Sequence, residues 1–236
     1  MLRLAHRGDH SRAPENTLTA FAAAVGRPDC DGVEFDVRAS ADGFAVVLHD
    51  ASLVRVQGRP ERADALTAAQ LGALGVPTLA AVLSACGPAS FLDVELKEDL
   101  GMIALGPLLA ARGLPDGSLA RAVVSAFEPE SLATIRRLAP AVACWLNAED
   151  LEQAALDLAV ALGCRGISVE WRAINQRTAA AVAHAGLDLA AFTFTNRRTL
   201  ARLERLGVGA ACVEGAALSG PQRTAVGRGR PEPAGR

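Results

Sequence analysis

The stretch Gly32-Val33-Glu34-Phe35-Asp36-Val37 sets two carboxylates two positions apart inside an apolar run. Side chains on a strand alternate faces, so Glu34 and Asp36 share one side while Val33, Phe35 and Val37 take the other. Two anions held side by side repel each other, and a cation, a proton or basic neighbours must hold them together. The flanking sequence offers such groups in His6-Arg7 before the strand, His49-Asp50 after it, and Glu95 and Lys97 in Leu92-Asp93-Val94-Glu95-Leu96-Lys97. These groups are expected to meet at one metal-dependent phosphoester site.

Working outward, Leu2-Arg3-Leu4-Ala5-His6 reads as a short strand ending in polar residues. Pro14-Glu15-Asn16-Thr17 then opens a helix, with Leu18, Phe21, Ala22 and Val25 at helical spacing. Beyond the central strand, Asp42-Gly43 is a turn signal before the apolar run Phe44 to Leu48. The connection from Asp36 to His49 is too short for a helical crossover, so a hairpin is expected that returns His49 to the neighbourhood of Asp36. Residues 51–66 read as irregular, with helix starts at Thr67 and at Pro77-Thr78.

Apolar strands are then expected at 91–97, 121–127, 141–146, 165–170, 188–194 and 209–214, separated by Ala/Leu/Arg-rich helices. With the first two strands this makes eight, and 44–48 is a short hairpin arm after strand 2. Eight strands alternating with helices in a chain of 236 residues give an α/β fold of the (β/α)8 TIM-barrel class. A doubly wound open sheet lacks here the Gly-rich phosphate turn it would carry after its first strand. Residues 1–219 are read as the barrel and 220–236, rich in Gly, Pro and Arg, as a disordered tail.

Bulk properties narrow the partners. Twenty-four basic residues against 26 acidic ones leave a formal charge of -2, too balanced a field to bind nucleic acid or an anionic membrane. No run reaches the roughly 18 apolar residues of a membrane span, and Met1 to Arg7 lacks the apolar core of a signal peptide. Five scattered cysteines without a CxxC pair read as reduced thiols in a cytoplasmic protein. A small-molecule ligand is the expected partner, with no stable membrane anchor. The sequence carries no signal for an oligomeric state.

Barrel enzymes build their sites at the C-terminal ends of the strands. His6, Glu34, Asp36, Glu95, Lys97 and Ser125 all come late in their segments. Glu34, Asp36 and Glu95 are hard oxygen ligands suited to Mg2+ or Ca2+ rather than zinc. His6 and His49 are placed to move protons as an acid/base pair, and Arg7 and Lys97 to neutralise phosphate oxygens. Asp93 lies deeper, as an inner-barrel hydrogen bonder. His10 and His184 are read as bystanders.

Taken together, His6-Arg7-Gly8, Pro14-Glu15-Asn16-Thr17, Glu34-Phe35-Asp36-Val37, His49-Asp50, Pro77-Thr78-Leu79 and Glu95-Leu96-Lys97 resemble, in order and spacing, the signature of glycerophosphodiester phosphodiesterases. The match is strong over residues 2–97, and Ser125-Ala126-Phe127 and Thr193-Phe194-Thr195-Asn196 resemble the later strands less sharply. The resemblance implies hydrolysis of a small-molecule glycerophosphodiester to sn-glycerol 3-phosphate and an alcohol, with a divalent cation, Mg2+ or Ca2+ and also Mn2+. By motif, the metal ligands would be Glu34, Asp36 and Glu95, the acid/base pair His6 and His49, and the phosphate contacts Arg7 and Lys97. In similar enzymes the substrate's glycerol hydroxyl attacks phosphorus, and water opens the resulting cyclic phosphate. Two positions depart from the pattern. Phe192 stands where the family usually has Trp, keeping an apolar wall against substrate, and Cys212-Val213-Glu214-Gly215 replaces an acidic-proline ending. A lysophospholipid-directed, phospholipase D-like phosphodiesterase and a non-catalytic phosphate-binding barrel are the alternative readings.

Overall fold

A computed structural model describes residues 1–219, and the tail expectation for 220–236 lies outside the described residues. The chain runs β1 (Leu2–His6), α1 (Leu18–Val25), β2 (Gly32–Ala39), β3 (Ala45–Val47), α2 (Val54–Gln57), α3 (Ala68–Ala73), α4 (Leu79–Cys86) and β4 (Phe91–Leu96). It continues through α5 (Met102–Arg112), β5 (Ala122–Ala126), α6 (Pro129–Leu138), β6 (Cys144–Ala148), α7 (Gln153–Ala161), β7 (Gly166–Glu170), α8 (Gln176–His184), β8 (Asp188–Phe194), α9 (Arg197–Arg205) and β9 (Ala210–Val213).

Eight of these strands pair in parallel in the order β1-β9-β8-β7-β6-β5-β4-β2, and β1 also pairs with β2, so the ring closes. This is the (β/α)8 barrel that the alternation predicts. The hairpin arm is present as β3, bonded outside the ring and antiparallel to β2 with Val37 opposite Val47. Leu48 N–H then donates to Asp36 O at 3.0 Å, which brings His49 beside the central strand.

The two faces of β2 behave as the alternation requires. Val33, Phe35 and Val37 are fully buried in the layer between sheet and helices, together with Phe21 of α1 and Leu79, Val82 and Leu83 of α4. Inside the ring sits a smaller apolar cluster of Leu4, Val123, Trp145, Ala190, Ala210 and Cys212 at the N-terminal end. The polar residues Glu34, Asp36, Asp93, Ser125, Asn147 and Ser168 are buried as well. Apolar filling at one end and polar filling at the other direct the chemistry to the C-terminal mouth. At the opposite end, buried Arg112 donates to the carbonyls of Pro88, Ser90 and Gly87 in the turn before β4. A guanidinium with several carbonyl acceptors fixes that turn, which is a structural role.

Four local expectations are corrected. The helix after β1 starts at Leu18, capped by Thr17, so Glu15 and Asn16 precede it; Asn16 takes a left-handed φ of 57° and turns its side chain toward the site. The buried stripe of α1 is Ala20, Phe21 and Ala24, whereas Leu18 is 41% exposed. An alanine-rich helix offers little hydrophobic contrast by which its inward face can be read. The sixth strand begins at Cys144 rather than 141. The stretch read as irregular contains α2 and a 3-10 turn over Ala63–Ala65, and Val46, Leu48, Leu53, Ala63, Leu71 and Val76 form a small core of their own beside the barrel.

Candidate active site

Register explains why the acids meet. In the parallel pairing of β2 with β4, Glu34 lies opposite Asp93 and Asp36 opposite Glu95. One oxygen from each of Glu34, Asp36 and Glu95 falls within 4.8 Å of the others, the spacing of a group able to hold a cation. Glu34 is 3% and Asp36 1% exposed, too buried for water to dissipate their charge.

Two cations answer three carboxylates. Lys97 Nζ lies 3.0 Å from Asp36 Oδ1 and also pairs with Glu95, and Arg7 Nε lies 3.1 Å from Asp36 Oδ2. Asn16 Nδ2 donates to the same Oδ2 at 2.9 Å. Burial works against ionisation of Asp36, but Lys97, Arg7, His49 and the Asn16 amide outweigh it and hold the carboxyl below its usual range. Glu34 is treated differently. Burial pushes its carboxyl well above the carboxylate range, Asp36, Glu95 and Asp93 add to the push, and its Oε1 is buried without a hydrogen-bond partner. Burial and Asp36 also raise Glu95. With Arg7 and Lys97 engaged, three carboxylates face two full positive charges, and Glu34 Oε1 keeps no hydrogen-bond partner.

Arg7 is held by backbone as well as by charge. It adopts a φ of 57°, its N–H donates to Glu34 O at 2.9 Å, and its Nη1 donates to Glu15 at 2.9 Å. Glu15 is in turn gripped by Arg55, whose hydrogen bonds are the largest cause of its carboxyl falling to about 2. Arg55 also holds Asp50, likewise lowered to about 2, mainly by that contact.

Both histidines carry a carboxylate on Nδ1. His6 Nδ1 donates to Glu214 Oε1 at 2.6 Å, and its Nε2 lies 3.8 Å from Glu34 Oε2. His49 Nδ1 donates to Asp50 Oδ1 at 2.6 Å. Ionised carboxylates only accept, so each pair holds a proton on Nδ1 and leaves Nε2 as the nitrogen free to take up or deliver one. Burial lowers the His49 imidazole below its ordinary value, against the opposing pull of Asp36 and Asp50. Asp93 accepts from Ser125 Oγ at 2.6 Å beneath the acidic group, and burial raises it to about 7; its expected place as an inner hydrogen bonder holds.

Phe192 stands at the mouth in an edge contact with Phe127, ring centres 5.6 Å apart, and Lys97 Nζ lies 6.0 Å from the Phe127 ring centre. His184 is exposed on α8. His10, read as a bystander, is not one by position: its Nε2 lies 3.4 Å from Glu214 Oε1. Sequence reading missed the roles of Glu214, Asn16, Asp50 and Glu15 in holding the central groups. For Glu214 the available signal was a carboxylate directly after the last strand; for Asp50 it was adjacency to His49.

Comparison with known proteins is consistent with this geometry. Residues 6–104 match the model of the glycerophosphoryl diester phosphodiesterase family. The chain is 28% identical over 154 residues to a glycerophosphodiester phosphodiesterase of Caldanaerobacter subterraneus subsp. tengcongensis, covering 59% of this chain and 63% of that protein, just under two thirds of its length. It is 24% identical over 247 residues to a glycerophosphodiester phosphodiesterase of Bacillus subtilis, covering 88% of this chain and 81% of the relative. Among solved structures, a phosphodiesterase of Oleispira antarctica in complex with the product sn-glycerol-3-phosphate superposes with a TM-score of 0.80 at 24% identity, covering 90% of this chain and 92% of the other. The matched motif region, the relatives that extend along the barrel and the shared fold agree, and over residues 6–104 the chain is similar to the glycerophosphoryl diester phosphodiesterase family.

Proposed function

We propose that the protein hydrolyses glycerophosphodiesters to sn-glycerol 3-phosphate and an alcohol, with a divalent cation held by Glu34, Asp36 and Glu95 and with His6 and His49 as the acid/base pair. The observation that carries the reading is the pairing of each imidazole Nδ1 with a carboxylate beside one acidic group. That arrangement leaves two nitrogens able to take up or deliver a proton next to a site for phosphate.

The fit of a hard cation rests on the unpartnered Glu34 Oε1 and on the all-oxygen donor set. When bound, Mg2+, Ca2+ or Mn2+ would polarise a phosphoryl oxygen and orient the diester. The chain's own residues account for the remaining chemistry. Arg7 and Lys97 neutralise the phosphate oxygens as their charge grows. One imidazole removes the proton of the substrate's glycerol hydroxyl, whose oxygen attacks phosphorus. The other, entering the step as an imidazolium, gives its Nε2 proton to the departing alcohol. Exchanged roles then let water open the cyclic phosphate, which restores both imidazoles. Phe192, with Phe127 behind it, forms an apolar wall at the mouth.

The named product of the Oleispira phosphodiesterase supports the glycerol 3-phosphate half of the reading. No helix among the described residues is long and apolar enough to cross a membrane. A cytoplasmic setting belongs to the same proposal, supported by five free cysteines. The test is release of glycerol 3-phosphate from glycerophosphocholine and related diesters with each of the three ions. No release from any of them would overturn the reading.

A further inference from the structure

His6, His10 and Glu214 converge from three separate segments: the end of β1, the loop that follows it and the residue after β9. One ligating atom from each lies within 4.8 Å of the others. The set is chemically unlike the Glu34, Asp36 and Glu95 group, because two imidazole nitrogens and one carboxylate suit a borderline transition ion rather than Mg2+ or Ca2+. Donors about 2.0–2.2 Å from a tetrahedral ion stand about 3.4 Å apart. His10 Nε2 already lies 3.4 Å from Glu214 Oε1, whereas His6 Nδ1, at 2.6 Å, needs to open by less than an ångström. All three side chains are partly exposed, at 17%, 32% and 25%, so an ion can enter from solvent and keep a water in its fourth position.

We propose that His6, His10 and Glu214 form a second, inhibitory cation site for Zn2+, separate from the hard-ion site and sharing with the catalytic apparatus only His6 and its carboxylate. The inhibitory part rests on the proton-transfer role given to His6 above; the binding part does not.

The mechanism of inhibition follows from the tautomer. Without Zn2+, the Nδ1–H of His6 is held by Glu214, and Nε2, the nitrogen facing Glu34, is the one left to exchange a proton. Coordination through Nδ1 requires the lone pair there, so the proton moves to Nε2 and stays on it. His6 then presents a fixed N–H donor that neither accepts a proton nor readily gives one up. Glu214 is simultaneously drawn off the ring.

The test titrates Zn2+ into the full chain by calorimetry in saturating Mg2+, and in parallel follows Zn2+ inhibition of Mg2+-supported turnover. Wild type is expected to bind one Zn2+ under these conditions. His10→Ala and His10→Gln, in the loop after β1 and outside the catalytic apparatus, should bind it at least tenfold more weakly and need at least tenfold more Zn2+ for equal inhibition. Glu95→Gln, which removes a ligand of the other group, should still bind Zn2+. Equal affinity in wild type and both His10 variants, or no Zn2+ binding in saturating Mg2+, would overturn the proposal. A wild-type chain that binds Zn2+ through His10 but never hydrolyses a glycerophosphodiester would sustain the site and refute the proposed function instead.

Discussion

At the scale of single residues, the site works by leaving some charges matched and one unmatched. Asp36 receives Lys97, Arg7 and Asn16, while Glu34 keeps a buried oxygen without a partner. The raised carboxyls give a stability prediction in metal-free protein. A carboxyl whose folded pKa lies above its unfolded value binds more protons when folded, so stability falls as pH rises between the two values. Glu34, Glu95 and Asp93 are all raised, Asp93 to about 7. His49, pushed down, acts the other way but is a single half-buried group. Thermal unfolding in a chelator should therefore show a lower Tm at pH 8 than at pH 5.5, and Mg2+ should raise the Tm more at pH 8. A metal-free Tm that climbs over this range would contradict the charge assignment. A second residue-scale prediction concerns Glu214, which positions His6. Glu214→Ala should lower kcat roughly 10- to 100-fold with a smaller change in KM. Glu214→Gln, whose amide carbonyl can still accept from Nδ1, should recover part of that loss.

At the scale of elements, the central strand carries both the fold and the candidate site, and its alternation made the core face and the acidic face legible. Alternation along β2 separated a core face from an acidic face, and the short link to His49 required a hairpin; β3 supplies it. Helix starts marked by Thr67 and Thr78 were equally legible, because both cap their helices through side-chain hydrogen bonds to a backbone N–H. Less legible were features that depend on neighbours distant in the sequence. The inward face of α1 is hidden by its alanines. The Glu214–His6 contact joins residues 208 positions apart and has no local pattern. The tight approach of β2 to β4 has the same character. A Cβ on Gly32 would stand 1.9 Å from the carbonyl oxygen of Phe91. Gly32→Ala should therefore cost about 3 kcal/mol by denaturant unfolding, with strand register disturbed and activity lost with it. Unchanged stability would mean that the register of Gly32 with Phe91 is wrong.

At the scale of the whole molecule, ring closure brings the first strand and the last together: β1 pairs with both β2 and β9, so His6 meets Glu34 on one side and Glu214 on the other. An open sheet would leave those partners on separate edges. The division of the interior, apolar at one end and acidic at the other, then permits chemistry at a single mouth. Full-length protein stripped of divalent ions should lose at least 90% of its turnover and regain it with Mg2+, Ca2+ or Mn2+, while circular dichroism stays unchanged. Retained turnover after stripping would remove the cation from the account. The most direct test of the convergence on one mouth is glycerol 3-phosphate release from glycerophosphocholine, compared among wild type, His6→Ala and His49→Ala. Turnover by wild type with a loss of roughly 100-fold or more in each variant is expected; wild-type rates in either folded variant would contradict it.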